Sequence, residues 1–65
     1  MKFEELTCVR TLKDFPKHKI KKGDIGVIVF AFTKPNEAYE VEFDDDTGRL
    51  KAIFPILSED LERYE

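Results

Sequence analysis

The amino-acid sequence predicts a small all-β domain, and three observations carry that prediction. Apolar residues come in short stretches separated by turn-forming residues. One stretch, Ile25-Gly26-Val27-Ile28-Val29-Phe30-Ala31-Phe32, is dense in β-branched and aromatic side chains, which suit a pleated, packed surface. Another, Ala38-Tyr39-Glu40-Val41-Glu42-Phe43, alternates apolar and charged residues with the period of a strand. With 65 residues there is room for one core, so residues 1–65 form a single domain.

Each element follows in chain order. Leu6 to Leu12 reads as a first strand, with Leu6, Cys8 and Leu12 facing inward and Thr7 and Thr11 outward. Lys13 to Asp24 reads as a long loop, because Pro16 lacks a ladder donor and Gly23 tolerates positive φ. Phe15 and Ile20 are its large apolar residues and are expected to pin it to the sheet, offsetting its ordering entropy. Ile25 to Phe32 is the second strand, apolar on both faces, and Gly26 is expected to let it bend. Thr33 to Glu37 is a turn built on Pro35 and Asn36. In the third strand Tyr39, Val41 and Phe43 share one face, with Glu40 and Glu42 on the other. Asp44 to Gly48 closes a hairpin with a left-handed glycine, and Arg49 to Leu57 returns as a fourth strand. Ser58 to Leu61 reads as one helical turn capped by Ser58 and anchored by Leu61, before a closing strand over 62–65. Five short strands, a long first loop and a helical turn before the last strand are the layout of an SH3-like barrel.

Composition excludes several classes. Apolar residues make up 42% and charged residues 38%, a balance that suits a folded chain. No apolar run approaches the ~18 residues of a membrane span. The acidic start Met1-Lys2-Phe3-Glu4-Glu5 does not read as a signal peptide, and a lone Cys8 fits the reducing cytoplasm. One cysteine and one histidine cannot supply a Cys/His zinc site, and no cofactor motif is present. The net charge of −3 conceals a split. Residues 1–35 hold eight Lys/Arg against four Asp/Glu, and residues 36–65 hold three against ten.

Two stretches carry a resemblance. Lys22-Gly23-Asp24-Ile25-Gly26-Val27-Ile28-Val29 resembles the turn and curved strand of SH3-like barrels, including KOW-type domains. Phe15-Pro16-Lys17-His18-Lys19-Ile20-Lys21-Lys22-Gly23-Asp24-Ile25-Gly26, Glu37 to Phe43 and Leu57-Ser58-Glu59-Asp60-Leu61 together resemble a small bacterial family of stand-alone proteins of unknown function. The resemblance spans nearly the whole chain. It implies an SH3-like barrel and no activity. Such proteins resemble companions encoded beside other small proteins, some of toxin–antitoxin type, which implies a protein partner.

The remaining motifs define the expected site. The run from Lys13 to Lys22 holds five lysines against one aspartate, a pattern that attracts phosphates and also occurs on solvated loops. Asp44-Asp45-Asp46 with Gly48 does not meet the calcium-loop pattern, since the twelfth residue from Asp44 is Pro55 rather than a bidentate Glu. Cys8 reads as a small core residue, and no nucleophile is spaced to use His18, so catalysis is not expected. Eight aromatic residues exceed what so small a barrel can bury, which leaves apolar surface for an interface. The chain is therefore expected to be a non-catalytic interaction or accessory module, antitoxin-like, that binds another protein. Phe15, Ile20 and Phe32 are its expected anchors, and Lys17, His18, Lys19, Lys21 and Lys22 its polar contacts. The alternative is a KOW-like nucleic-acid-binding module using loop 13–22.

Overall fold

The computed structural model describes residues 2–64. Five antiparallel strands form one open sheet in the order β4-β3-β2-β1-β5. They are β1 (Cys8–Thr11), β2 (Ile25–Phe32), β3 (Ala38–Asp44), β4 (Leu50–Leu57) and β5 (Leu61–Arg63). Two single 3-10 turns, Pro16–His18 and Ser58–Asp60, complete the described elements. The second turn redirects the chain from one edge strand, β4, to the other, β5, which pairs with β1. This meander, with its break before the last strand, has the SH3-like connectivity, although β4 and β5 do not hydrogen-bond to close it. Among the described residues no helix is long and apolar enough to cross a membrane.

β3 organises the core. Tyr39, Val41 and Phe43 are buried and face Ala31 and Ile28 on β2, and Ile56, Phe54 and Ala52 on β4. Phe3, Val9, Ile20 and Leu61 complete the cluster. Each such large side chain contributes roughly 1.5–3 kcal/mol on full burial. β2 runs in phase with β3 up to Ile28, then a bulge inserts Val29 and shifts the pairing so that Phe30 opposes Glu40. The apolar continuity of Ile25–Phe32 thus resolves into inner residues Gly26, Ile28 and Ala31 and outer residues Val27, Phe30 and Phe32.

The first strand corrects the sequence-based expectation. Val9 and Thr11 are buried, while Cys8 is exposed and Leu6 is 78% exposed. The two alternating sets of this segment are similarly apolar, and a one-residue shift exchanges their faces. Register with β2 makes the choice, because Val9 lies opposite Gly26 on the inner face. Leu6 precedes the strand at a φ of 70°, in a turn whose Leu6 N–H donates to the Ile28 carbonyl. Thr11 is buried because its hydroxyl has work there: it donates to the Lys21 carbonyl at 3.0 Å and accepts the Gly23 N–H at 3.2 Å. Ser58 does not cap its turn with its side chain, whereas Leu61 is the fully buried anchor expected. The closing strand begins at Leu61, and Glu65, its expected end, lies outside the described residues.

Gly26 serves close packing, and the register irregularity of β2 lies further along, at Val29. A Cβ at Gly26 would stand 2.6 Å from Val41 Cγ1 and 2.9 Å from the Glu42 carbonyl oxygen. Gly26→Ala is expected to destabilise the domain by about 1–3 kcal/mol in denaturant unfolding, as overpacking does.

The amino-terminal segment is tied down by a polar relay that is buried at Tyr39 and ends on the exposed Glu37. The Phe3 N–H donates to the Tyr39 hydroxyl at 2.9 Å, and that hydroxyl donates to Glu37 Oε2 at 2.6 Å. Phe3 also packs edge-on against the Tyr39 ring. The Tyr39 hydrogen bond, with help from the Lys2 N–H, holds the Glu37 carboxyl below its ordinary 4.5. Burial, followed by the Glu37 contact, pushes the Tyr39 hydroxyl above its ordinary 10.0. A lowered carboxyl stabilises the fold above its unfolded value and loses that contribution as pH falls through the folded one. A raised phenol stabilises below its unfolded value and loses that contribution as pH rises through the folded one. Stability is therefore expected to decline below about pH 4.5 and above about pH 10. Tyr39→Phe should cost about 1–3 kcal/mol at neutral pH by stranding the Phe3 N–H, and should flatten the alkaline decline. Thermal melts across pH check both.

Candidate interaction surface

The long loop is a built structure. Phe15 and Ile20 exchange backbone hydrogen bonds of 2.7 and 3.1 Å, closing a small hairpin around the Pro16–His18 turn. Lys19 takes the left-handed conformation that ends this turn, with φ 59°. The Asp14 carboxylate accepts the Lys22 N–H at 2.8 Å, and Asp24 accepts the Lys21 N–H at 2.9 Å. Two further ties hold the loop's ends: the Leu12 N–H donates to the Asp60 carbonyl, and Thr11 binds Lys21 and Gly23 as described.

This geometry divides the expected site residues. Ile20 is 1% exposed, so it is a core residue that anchors the loop and is not a surface contact. Its side chain joins the core cluster, and its backbone pairs with Phe15. Phe15 is half-buried, its ring edge-on to Phe54 with centroids 5.3 Å apart. The His18 ring stacks on Phe54 at 3.7 Å and 6° from parallel, so it covers the core rather than reaching outward. Lys17, Lys19, Lys21 and Lys22 are exposed. Phe32 belongs elsewhere. It opposes Ala38 on the outer side of the sheet, whereas Phe54, which supports Phe15 and His18, opposes the buried Val41.

The loop also has acidic neighbours. Asp44, Asp45 and Asp46 line one shallow cavity together with Ile20, Asp24 and Ile25, placing the acidic hairpin tip beside the loop's end. Lys13 pairs with Asp60 at 3.3 Å. Asp45 itself serves the hairpin: one carboxylate oxygen accepts from the Thr47 N–H, the Thr47 hydroxyl and the Arg49 N–H. These bonds, that of the Thr47 hydroxyl foremost, hold the Asp45 carboxyl below its ordinary value. Gly48 supplies the left-handed residue there, with φ 85°.

Of the apolar outer surface, the site expected from sequence contained Phe32 alone. Opposed residues of antiparallel strands share a face, so the ladder places Cys8, Val27, Glu42 and Ile53 in one row of the outer face. Phe30, Glu40 and Pro55 form the next, and Phe32, Ala38 and Leu57 the last. Phe30 is 51% exposed and Ile53 45%, and Leu57 is comparably open. Phe30 and Phe32 pack edge-on, 4.9 Å apart. At one end, Phe32, Pro35, Pro55 and Leu57 line a groove of about 250 Å³. Two signals for this surface lay in the sequence: the excess of aromatic residues, and the alternation of Ile53, Pro55 and Leu57 with the inner Phe54 and Ile56.

Comparison with curated proteins and with solved structures returns no match. A family model matches residues 5–63, nearly the whole chain, and the protein accordingly belongs to the family described as "Domain of unknown function (DUF4926)".

Proposed function

We propose that this protein is a non-catalytic binding module that docks another protein on the outer face of β2, β3 and β4. One observation carries the reading: Phe30, Ile53 and Leu57 stand open on one face of a small sheet whose inner face already holds a full core. Contiguous exposed apolar area rimmed by charge is characteristic of interaction surfaces. An accessory or antitoxin-like role fits a domain of this size, and an exposed, unpaired Cys8 fits a cytoplasmic setting.

The second reading, a nucleic-acid-binding module, draws on the exposed Lys17, Lys19, Lys21 and Lys22. Asp44–Asp46 at the loop's end weakens it by interrupting the positive surface.

Affinity capture from the native host distinguishes the two. Phe30→Ser with Ile53→Ser should retain the fold by circular dichroism and lose the captured protein. Lys17→Glu with Lys19→Glu should retain it. The opposite pattern, or a salt-sensitive shift of labelled RNA or duplex DNA abolished by the lysine reversals, would move the site to the loop.

A further inference from the structure

The outer face is not uniformly apolar, and its charge restricts what can cover it. Glu40 stands between Phe30 and Pro55, and Glu42 between Val27 and Ile53, so both carboxylates occupy the central strand of the patch. Each is half-buried. Among the described residues the ion pairs are Arg10–Glu62 and Lys13–Asp60, and neither glutamate takes part in one. Water solvates them in the free protein. A partner that covers the face removes that water, and a carboxylate left dry without a countercharge opposes binding strongly.

This requirement selects the occupant. A wholly apolar segment would strand both charges. A second copy related by a two-fold axis passing between Glu40 and Glu42 would bring like charges together. An anionic lipid surface would meet the same repulsion. What remains is a protein segment that carries basic side chains within an apolar stripe. Residues two apart on a strand lie roughly 7 Å from each other, close to the ~5–6 Å between Cβ atoms four apart on a helix. Helices also pack readily on sheet faces. The net charge of −3 adds a long-range attraction of the same sign.

Resting on the docking reading above, we infer that the outer face of β2, β3 and β4 receives an amphipathic helix of another protein. Its apolar stripe presents two Lys or Arg residues one turn apart to Glu40 and Glu42.

Two synthetic leucine-based amphipathic helices test this, identical except for a Lys pair or a Glu pair at i and i+4 within the apolar stripe. Fluorescence anisotropy with the intact protein should show the lysine peptide binding about tenfold more tightly or better, with the preference shrinking as salt rises. Glu40→Gln with Glu42→Gln should bring the ratio near one, and Glu40→Lys with Glu42→Lys should invert it. Phe30→Ser should weaken both peptides. Equal binding of the two peptides by the natural protein, still abolished by Phe30→Ser, would overturn the charge inference and leave the docking face standing. A lysine preference that survives the double Gln substitution would overturn it too, since the attraction would then come from net charge. Binding of neither peptide, a Phe30-dependent dimer by light scattering, or Phe30-dependent binding to anionic phosphatidylserine vesicles would each reject the proposed occupant. The substituted side chains are on the outer face, and unchanged thermal melts confirm that folding is not the variable.

Discussion

The alternation of β3 is the constraint on which the rest of the molecule depends. Tyr39, Val41 and Phe43 point into the core, and Glu40 and Glu42 point out, along one strand paired on both sides. Because side chains alternate with a strict period of two, this one strand assigns a face to every residue opposite it. The inner set draws Ile28, Phe54 and Ile56 into a shared core. The outer set leaves Phe30, Ile53 and Pro55 around two carboxylates. Core and candidate surface are thus two consequences of one pattern.

Around that strand the fold uses backbone devices rather than bulk. Gly26 lets β2 approach the side chains of Val41 and Phe43 where a methyl group would collide. The bulge at Val29 turns Phe30 and Phe32 outward and Ala31 inward, so the apolar excess of β2 becomes surface instead of overpacking a small interior. The Tyr39 hydroxyl bonds the Phe3 N–H and Glu37 together, which seals one end of the core with the amino-terminal segment. Thr11 performs the same service for the long loop through Lys21 and Gly23. Both polar groups are buried and satisfied, as burial requires.

The basic loop emerges as architecture first. Its hairpin, its backbone bonds to Asp14 and Asp24, and the stack of His18 on Phe54 account for much of its composition. Four lysines remain exposed on it, and the acidic hairpin tip shares a shallow cavity with Ile20 and Asp24 near its end. The charge split along the chain is partly compensated in space by the Arg10–Glu62 and Lys13–Asp60 pairs, each of which joins the basic first half to the acidic second half. The acidic residues of β3 are a separate matter, since they belong to the apolar outer face.

By itself, the sequence determined the element order, the limits of β2, the facing of β3, the left-handed Gly48 and the anchoring roles of Ile20 and Leu61. Those features follow from local chemistry: β-branched density, period-two alternation, turn residues and isolated apolar side chains in polar segments. Only the tertiary structure decided the facing of β1, because its two alternating sets are similarly apolar and pairing with Gly26 selects between them. It also decided which aromatic residues face solvent, because a one-residue bulge leaves no local signature yet exchanges faces beyond it. The candidate surface depends on that bulge and on register between three strands. For that reason the sequence could predict an apolar excess, while the fold alone placed Phe30, Ile53 and Leu57 around Glu40 and Glu42.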